Sequence, residues 1–155
     1  KWARQAEADV LLVETAGLCL RCSPYVDGGL GIVVLEATSG MNLPLKVGPM
    51  LSLADVAVVT KIDRVSQAER EVFRARIQEV APGVRIREVN ALYGIGIDPL
   101  VEMVGDQSDV TGPLMLRGNP PVGTCTVCVG KKEIGWEQHF GVVRALDNQT
   151  FYRGE

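Results

Sequence analysis

Short apolar runs separated by helical stretches constrain this chain more than any other feature. Val10-Leu-Leu-Val13 is uninterrupted apolar sequence, Gly31-Ile-Val-Val-Leu-Glu-Ala37 nearly so, and Val56-Ala-Val-Val59 again entirely apolar. A fourth stretch, Val84–Val89, has the length of a strand and follows a helix-stopping Pro82-Gly83. Continuous rather than alternating apolar strands belong in sheets covered on both faces, and strand–helix alternation makes a parallel sheet. The composition agrees: aromatic residues are only 5% of the chain, while Val, Leu, Ile and Ala are abundant. The expected class is α/β.

The helices have their own signals. Lys1–Ala8 is polar and alanine-rich, the end of a helix. Leu43–Leu53 predicts a short helix broken at Gly48-Pro49. Ser66-Gln-Ala-Glu69 has the spacing of a capping box, in which serine accepts from a first-turn N–H and glutamate reaches back. The helix behind it places Phe73, Ile77 and Val80 on one face. Asp98-Pro99 predicts another helix start, with Asp98 as N-cap and proline in the first turn. From Gly105 to Gly123 periodicity gives way to Gly, Pro, Asp and Ser, which reads as a linker. The tail from 124 to 155 predicts a hairpin: Phe140–Leu146, a turn at Asp147-Asn148, and Thr150–Arg153 returning.

At 155 residues the chain is long enough to bury a core without disulfides. A net charge of −3 and no basic stripe argue against a nucleic-acid partner. No apolar run approaches the ~20 residues needed to cross a bilayer, and no signal peptide is evident. A cytoplasmic protein without a membrane partner is the expectation. In that compartment the two C-x-x-C pairs, Cys19/Cys22 and Cys125/Cys128, point to metal binding or redox chemistry rather than structural bridges.

Two loops carry recognition chemistry. Thr60-Lys-Ile-Asp63 follows a buried strand. A single aspartate there can accept from both the N1–H and the 2-amino group of guanine, a donor pair that adenine lacks. Asn90-Ala-Leu-Tyr-Gly-Ile-Gly-Ile-Asp98 lies between a strand and a helix; backbone N–H groups in such a loop can hydrogen-bond a base carbonyl, and an ordinary strand-to-helix turn is the competing reading. The lone His139 reads as a surface residue, and Trp136 and Phe140 as tail core.

The order Glu14-Thr-Ala-Gly17, Pro44-Leu-Lys46, Ala54-Asp55, Thr-Lys-Ile-Asp63 and Asn90–Asp98 resembles the HypB/UreG-type metallochaperone GTPases over about residues 8–104. The resemblance implies a three-layer P-loop NTPase-like domain that binds GTP or GDP with magnesium. It also implies dimerisation around nucleotide and delivery of nickel to a client metalloenzyme, a hydrogenase or urease. Thr60, Lys61 and Asp63 would then hold guanine, Asn90, Ala91 and Leu92 would back the base, Glu14 would sit near magnesium, and Gly17 would move as the switch. Thr60 stands where the family has asparagine.

No G-x-x-x-x-G-K-[ST] phosphate loop occurs in the 155 residues. The expectation is therefore a partial GTPase domain over 1–104, a linker over 105–123, and a cysteine-bearing tail over 124–155. The phosphate loop would lie in an absent N-terminal part or a separate polypeptide.

The two cysteine pairs make four thiolates, enough for tetrahedral zinc or a four-iron four-sulfur cluster. All-sulfur ligation favours these over nickel. With 102 residues between Cys22 and Cys125, one site within a chain, sites shared across a dimer, and redox cysteines all remain open. Three functions follow: GTP-dependent metallocentre assembly with the switch coupled to thiolates, an iron–sulfur NTPase in electron transfer, or a non-enzymatic metal-binding module on a degenerate NTPase core.

Overall fold

The computed structural model describes residues 5–15, 25–107 and 117. Among these residues three strands are formed: β1 (Ile32–Glu36), β2 (Val56–Thr60) and β3 (Arg85–Glu88). The helices are α1 (Leu43–Lys46), α2 (Gly48–Leu53), α3 (Gln67–Val80) and α4 (Ile97–Gly105). The sheet has the order β1-β2-β3 and both pairings are parallel, with Ile32 opposite Val56 and Val56 opposite Arg85. This is the α/β architecture expected from the strand–helix alternation.

Burial follows from the two-sided cover. On one face Val33, Leu35, Ala57 and Val59 pack with Phe73 and Ile77 of α3 and Leu51 of α2. On the other, Val56, Val58 and Val89 pack with Met103 of α4. All four residues of Val56–Val59 are buried because β2 has a strand on each side and helices on both faces. β3 has one neighbour among the described residues, and its Arg85 and Arg87 make that edge unattractive to further pairing.

Helix α3 begins as anticipated. The Ser66 side chain accepts from the Glu69 N–H at 3.3 Å, while a Glu69 carboxylate oxygen takes the Ser66 N–H at 2.8 Å. Gly48-Pro49 opens α2 instead of breaking one helix, and Val47 is the joint between the two.

Two expectations are corrected. Val10–Val13 has no strand conformation, and its side chains are 54–77% exposed. Apolar sequence alone does not make a strand; it needs a partner ladder, and no described strand pairs with it. Asp98 is not the N-cap of α4. Gly96 is, at φ 76°, in the left-handed region that glycine enters without strain. A Cβ on Gly96 would lie 2.2 Å from the Glu88 carbonyl oxygen, so glycine is required there twice over. The expected linker beyond Gln107, save Arg117, and the whole tail with its hairpin lie outside the described residues.

Ser66→Ala is expected to lower stability by ~1 kcal/mol, read as an earlier denaturation midpoint. Hydrogen bonds from Ser66 hold the Glu69 carboxyl below its ordinary 4.5. The contribution of the box is therefore full above that value and is lost as pH falls through the lowered folded value. The gap between wild type and S66A should narrow in acid. Gly96→Ala should cost more than ~1 kcal/mol, since both the left-handed backbone and the contact with Glu88 oppose a methyl group.

Candidate functional site

Parallel strands deliver their following loops to one edge of a sheet, and here that edge gathers the polar residues. Val89 N–H donates to Val59 O at 2.8 Å, which sets the loop starting at Asn90 directly beside the loop starting at Thr60. The loop that carries Thr60, Lys61 and Asp63 thus starts beside the loop that carries Asn90, Ala91 and Leu92.

The first loop is shaped by Lys61, which takes the left-handed conformation at φ 56° and leads into a single 3-10 turn over Ile62–Arg64. Thr60 donates its hydroxyl to Leu35 O at 3.4 Å, tying the loop to β1. The Asp63 carboxylate has Arg64 Nε at 3.6 Å as its ion partner and is otherwise open to an incoming donor pair. The Lys61 ammonium lies 2.9 Å from the Glu36 carboxylate at the end of β1, and Thr38 donates its hydroxyl to the same carboxylate. Those contacts, the threonine hydroxyl foremost, hold the Glu36 carboxyl below its usual value. Glu36, Thr38, Lys61 and Arg64 line a cleft of about 460 Å³.

The second loop closes on itself. Asn90 is 4% exposed, and its side-chain oxygen accepts the Leu92 N–H at 3.2 Å. Its backbone N–H donates to Ile95 O at 2.9 Å and its carbonyl accepts the Ile95 N–H at 3.1 Å. Two of the three amides expected to face a base are therefore engaged within the loop. The Ala91 N–H is the one without a partner among the described residues. Leu92, Tyr93 and Ile95 are 57–78% exposed beside it, an apolar wall of the kind that flanks a planar ring.

The other expected site residues stand apart. Glu14 is exposed and not part of either loop. Gly17, Cys19, Cys22, Cys125 and Cys128 lie outside the described residues. Among the described residues no group of three or more His, Cys, Asp or Glu side chains could hold a metal ion. No described helix is long and apolar enough to cross a membrane.

A second polar cluster, unanticipated from sequence, occupies the opposite, N-terminal edge of the sheet. Asp55 accepts the Gly31 N–H and the Arg117 guanidinium, each at 2.7 Å. Arg117 also donates to Leu53 O at 3.0 Å and to Gly29 O, and its backbone N–H donates to Tyr25 O at 2.9 Å. Its guanidinium lies 6.0 Å from the Tyr25 ring centre. Burial, partly offset by Arg117, pushes the Tyr25 hydroxyl up to about 12. The one available signal was that Arg117 is the sole charged residue between Asp109 and Lys131. Glu36 was also missed; its signal is a carboxylate closing an apolar strand.

A family profile for the CobW/HypB/UreG nucleotide-binding domain matches residues 1–88. An uncharacterised protein of Methanocaldococcus jannaschii is 47% identical over 99% of this chain and 66% of its own length. The urease accessory protein UreG of Yersinia pestis is 31% identical over 65% of this chain and 47% of its own. The UreG of Photorhabdus laumondii is 33% identical over 66% and 50%. The chain thus spans about two-thirds of the archaeal relative and about half of the urease accessory proteins. The crystal structure of hydrogenase maturation factor HypB from Archaeoglobus fulgidus aligns with a TM-score of 0.42 at 21% identity, over 47% of this chain and 37% of that one. With more than half of its residues inside the profile, the chain belongs to the CobW/HypB/UreG nucleotide-binding-domain family.

Proposed function

We propose that this chain is the guanine-recognising part of a GTP-dependent metallocentre-assembly protein, in which nucleotide state governs a cysteine metal site. The observation that carries the guanine half is the pairing of two loops at the C-terminal edge of the sheet. Among the described residues Asp63 offers a carboxylate whose one ion partner is Arg64 at 3.6 Å, and the neighbouring loop offers the Ala91 N–H, which has no partner among them. Such a carboxylate matches the adjacent N1–H and 2-amino donors of guanine, and the amide matches its carbonyl. The residues therefore fit the base. Phosphates and magnesium would need a loop that the 155 residues do not contain, with Glu14 approaching the metal and Gly17 as the switch. That loop would come from sequence beyond these residues or from another polypeptide.

The metal half rests on family membership and on the chemistry of the cysteines. Cys19 and Cys22 follow the switch sequence by two and five residues, and Cys125 and Cys128 bring the thiolates to four. Four thiolates suit zinc or an iron–sulfur cluster as a resident group. A client metalloenzyme and a nucleotide-linked homodimer complete the reading.

Base recognition is separable from hydrolysis and can be tested on the chain alone with guanosine. Guanosine should shift the amide resonances of Lys61, Asp63 and Ala91, while adenosine should not. Asp63→Ala should weaken guanosine on the order of ten- to a hundredfold, the cost of ~1–3 kcal/mol for unmatched donors. Equal shifts with the two nucleosides would defeat the guanine assignment. For the metal, protein purified without oxygen should contain zinc, or show iron–sulfur absorbance, and lose it in the C19S/C22S variant. Unaltered metal content in that variant would exclude the coupling.

A further inference from the structure

The loop after β1 is the next one along the edge that carries the two base loops. Glu36 closes β1 in register with Thr60, one strand spacing of about 4.8 Å from the start of the Lys61–Asp63 loop. The three loops differ in what they present. The one after β3 shows the exposed Leu92, Tyr93 and Ile95. Between the loops after β1 and β2 lies instead the polar cleft of about 460 Å³ lined by Glu36, Thr38, Lys61 and Arg64. Three adjacent strand ends span about 10 Å, room for a ring at one end and a polar group at the other.

The cleft holds no surplus charge. The Lys61 ammonium is 2.9 Å from the Glu36 carboxylate, and Arg64 Nε is 3.6 Å from that of Asp63. A phosphate would find both cations already matched, whereas a neutral group bearing hydroxyls displaces neither. An acceptor for such hydroxyls is in place. Lys61 and Thr38 both use Oε1 of Glu36, and Oε2 has no partner among the described residues. The Thr38 hydroxyl, with Lys61, holds the Glu36 carboxyl below its ordinary value, so near neutral pH it is ionised and accepts only.

We propose that Glu36 reads the sugar of the guanine site, its Oε2 accepting from the ribose hydroxyls of a nucleoside whose base lies over the loops after β2 and β3. This rests on the guanine reading above, and adds which part of the nucleoside the loop after β1 recognises. The ribose diol supplies two O–H donors on adjacent carbons, while a sugar without them leaves Oε2 unmatched. Thr38 is then a positioning residue: by donating to Oε1 together with Lys61, it leaves Oε2 for the ligand.

The test titrates the full 155-residue chain with guanosine and with 2′,3′-dideoxyguanosine, following the amide resonances of Lys61, Asp63 and Ala91. The two ligands share their base and differ only in the hydroxyls. Wild type should bind guanosine roughly tenfold more tightly, the low end for hydrogen bonds to a charged group, because 38% of the Glu36 side chain is exposed. In Glu36→Ala the two nucleosides should bind alike. In Glu36→Gln, which keeps an oxygen and loses the charge, the preference should shrink without vanishing. A Glu36 that merely supports the Lys61 loop would, when removed, weaken both ligands by one factor and leave the preference intact; that result would overturn the inference. So would equal binding of the two nucleosides to wild type, a comparison that needs no substitution and leaves the base assignment standing. A wild type that binds neither nucleoside would overturn the guanine reading itself, and the inference with it.

Discussion

The complete burial of β2 is the constraint on which the rest depends. Val56 and Ala57 are fully buried and Val58 and Val59 nearly so. A strand buried to that degree must place every backbone N–H and C=O in a ladder, which β1 and β3 provide from the two sides. It must also have apolar cover above and below, which sends α1–α3 to one face and α4 to the other. Parallel pairing then leaves the loops after all three strands on one edge. That the loop of Asp63 starts beside the Asn90 turn is thus a consequence of how β2 satisfies its backbone.

The same logic explains what could be read in advance. The central strand, the capping box at Ser66 and the Phe73–Ile77 face are local patterns whose outcome the surroundings do not reverse. The starting points of the loops after Val59 and Val89 were legible because a strand end fixes them. Val10–Val13 failed because strand formation is a property of a pair, and the pattern shows only one member. Asp98 failed because the preceding turn is governed by the Asn90–Ile95 bridge and the close pass of Gly96 over Glu88, neither of which is visible as a cap signature. Arg117 was illegible since its partners lie up to 92 positions away in sequence.

The free side of β1 gives the failure at Val10–Val13 a physical meaning. Val34 lies on the α4 face, in register with Val58, yet is 63% exposed, while Val58 is 3% exposed. The outer backbone of β1 has no described strand beside it. An uncovered valine, an open parallel edge and an unpaired apolar tetrapeptide are three views of one deficit. Each would be relieved by apolar chain laid along β1, and none by moving α4, which is already committed to Val56, Val58 and Val89.

The two polar clusters sit at opposite ends of the sheet, and that polarity limits how they can communicate. Glu36, Lys61 and Asp63 are at the C-terminal edge, whereas Tyr25, Asp55 and Arg117 are at the N-terminal edge. Five-residue strands separate them by about 16 Å at ~3.3 Å per residue. β2 itself is a poor conduit, since its packed side chains leave no second arrangement to adopt.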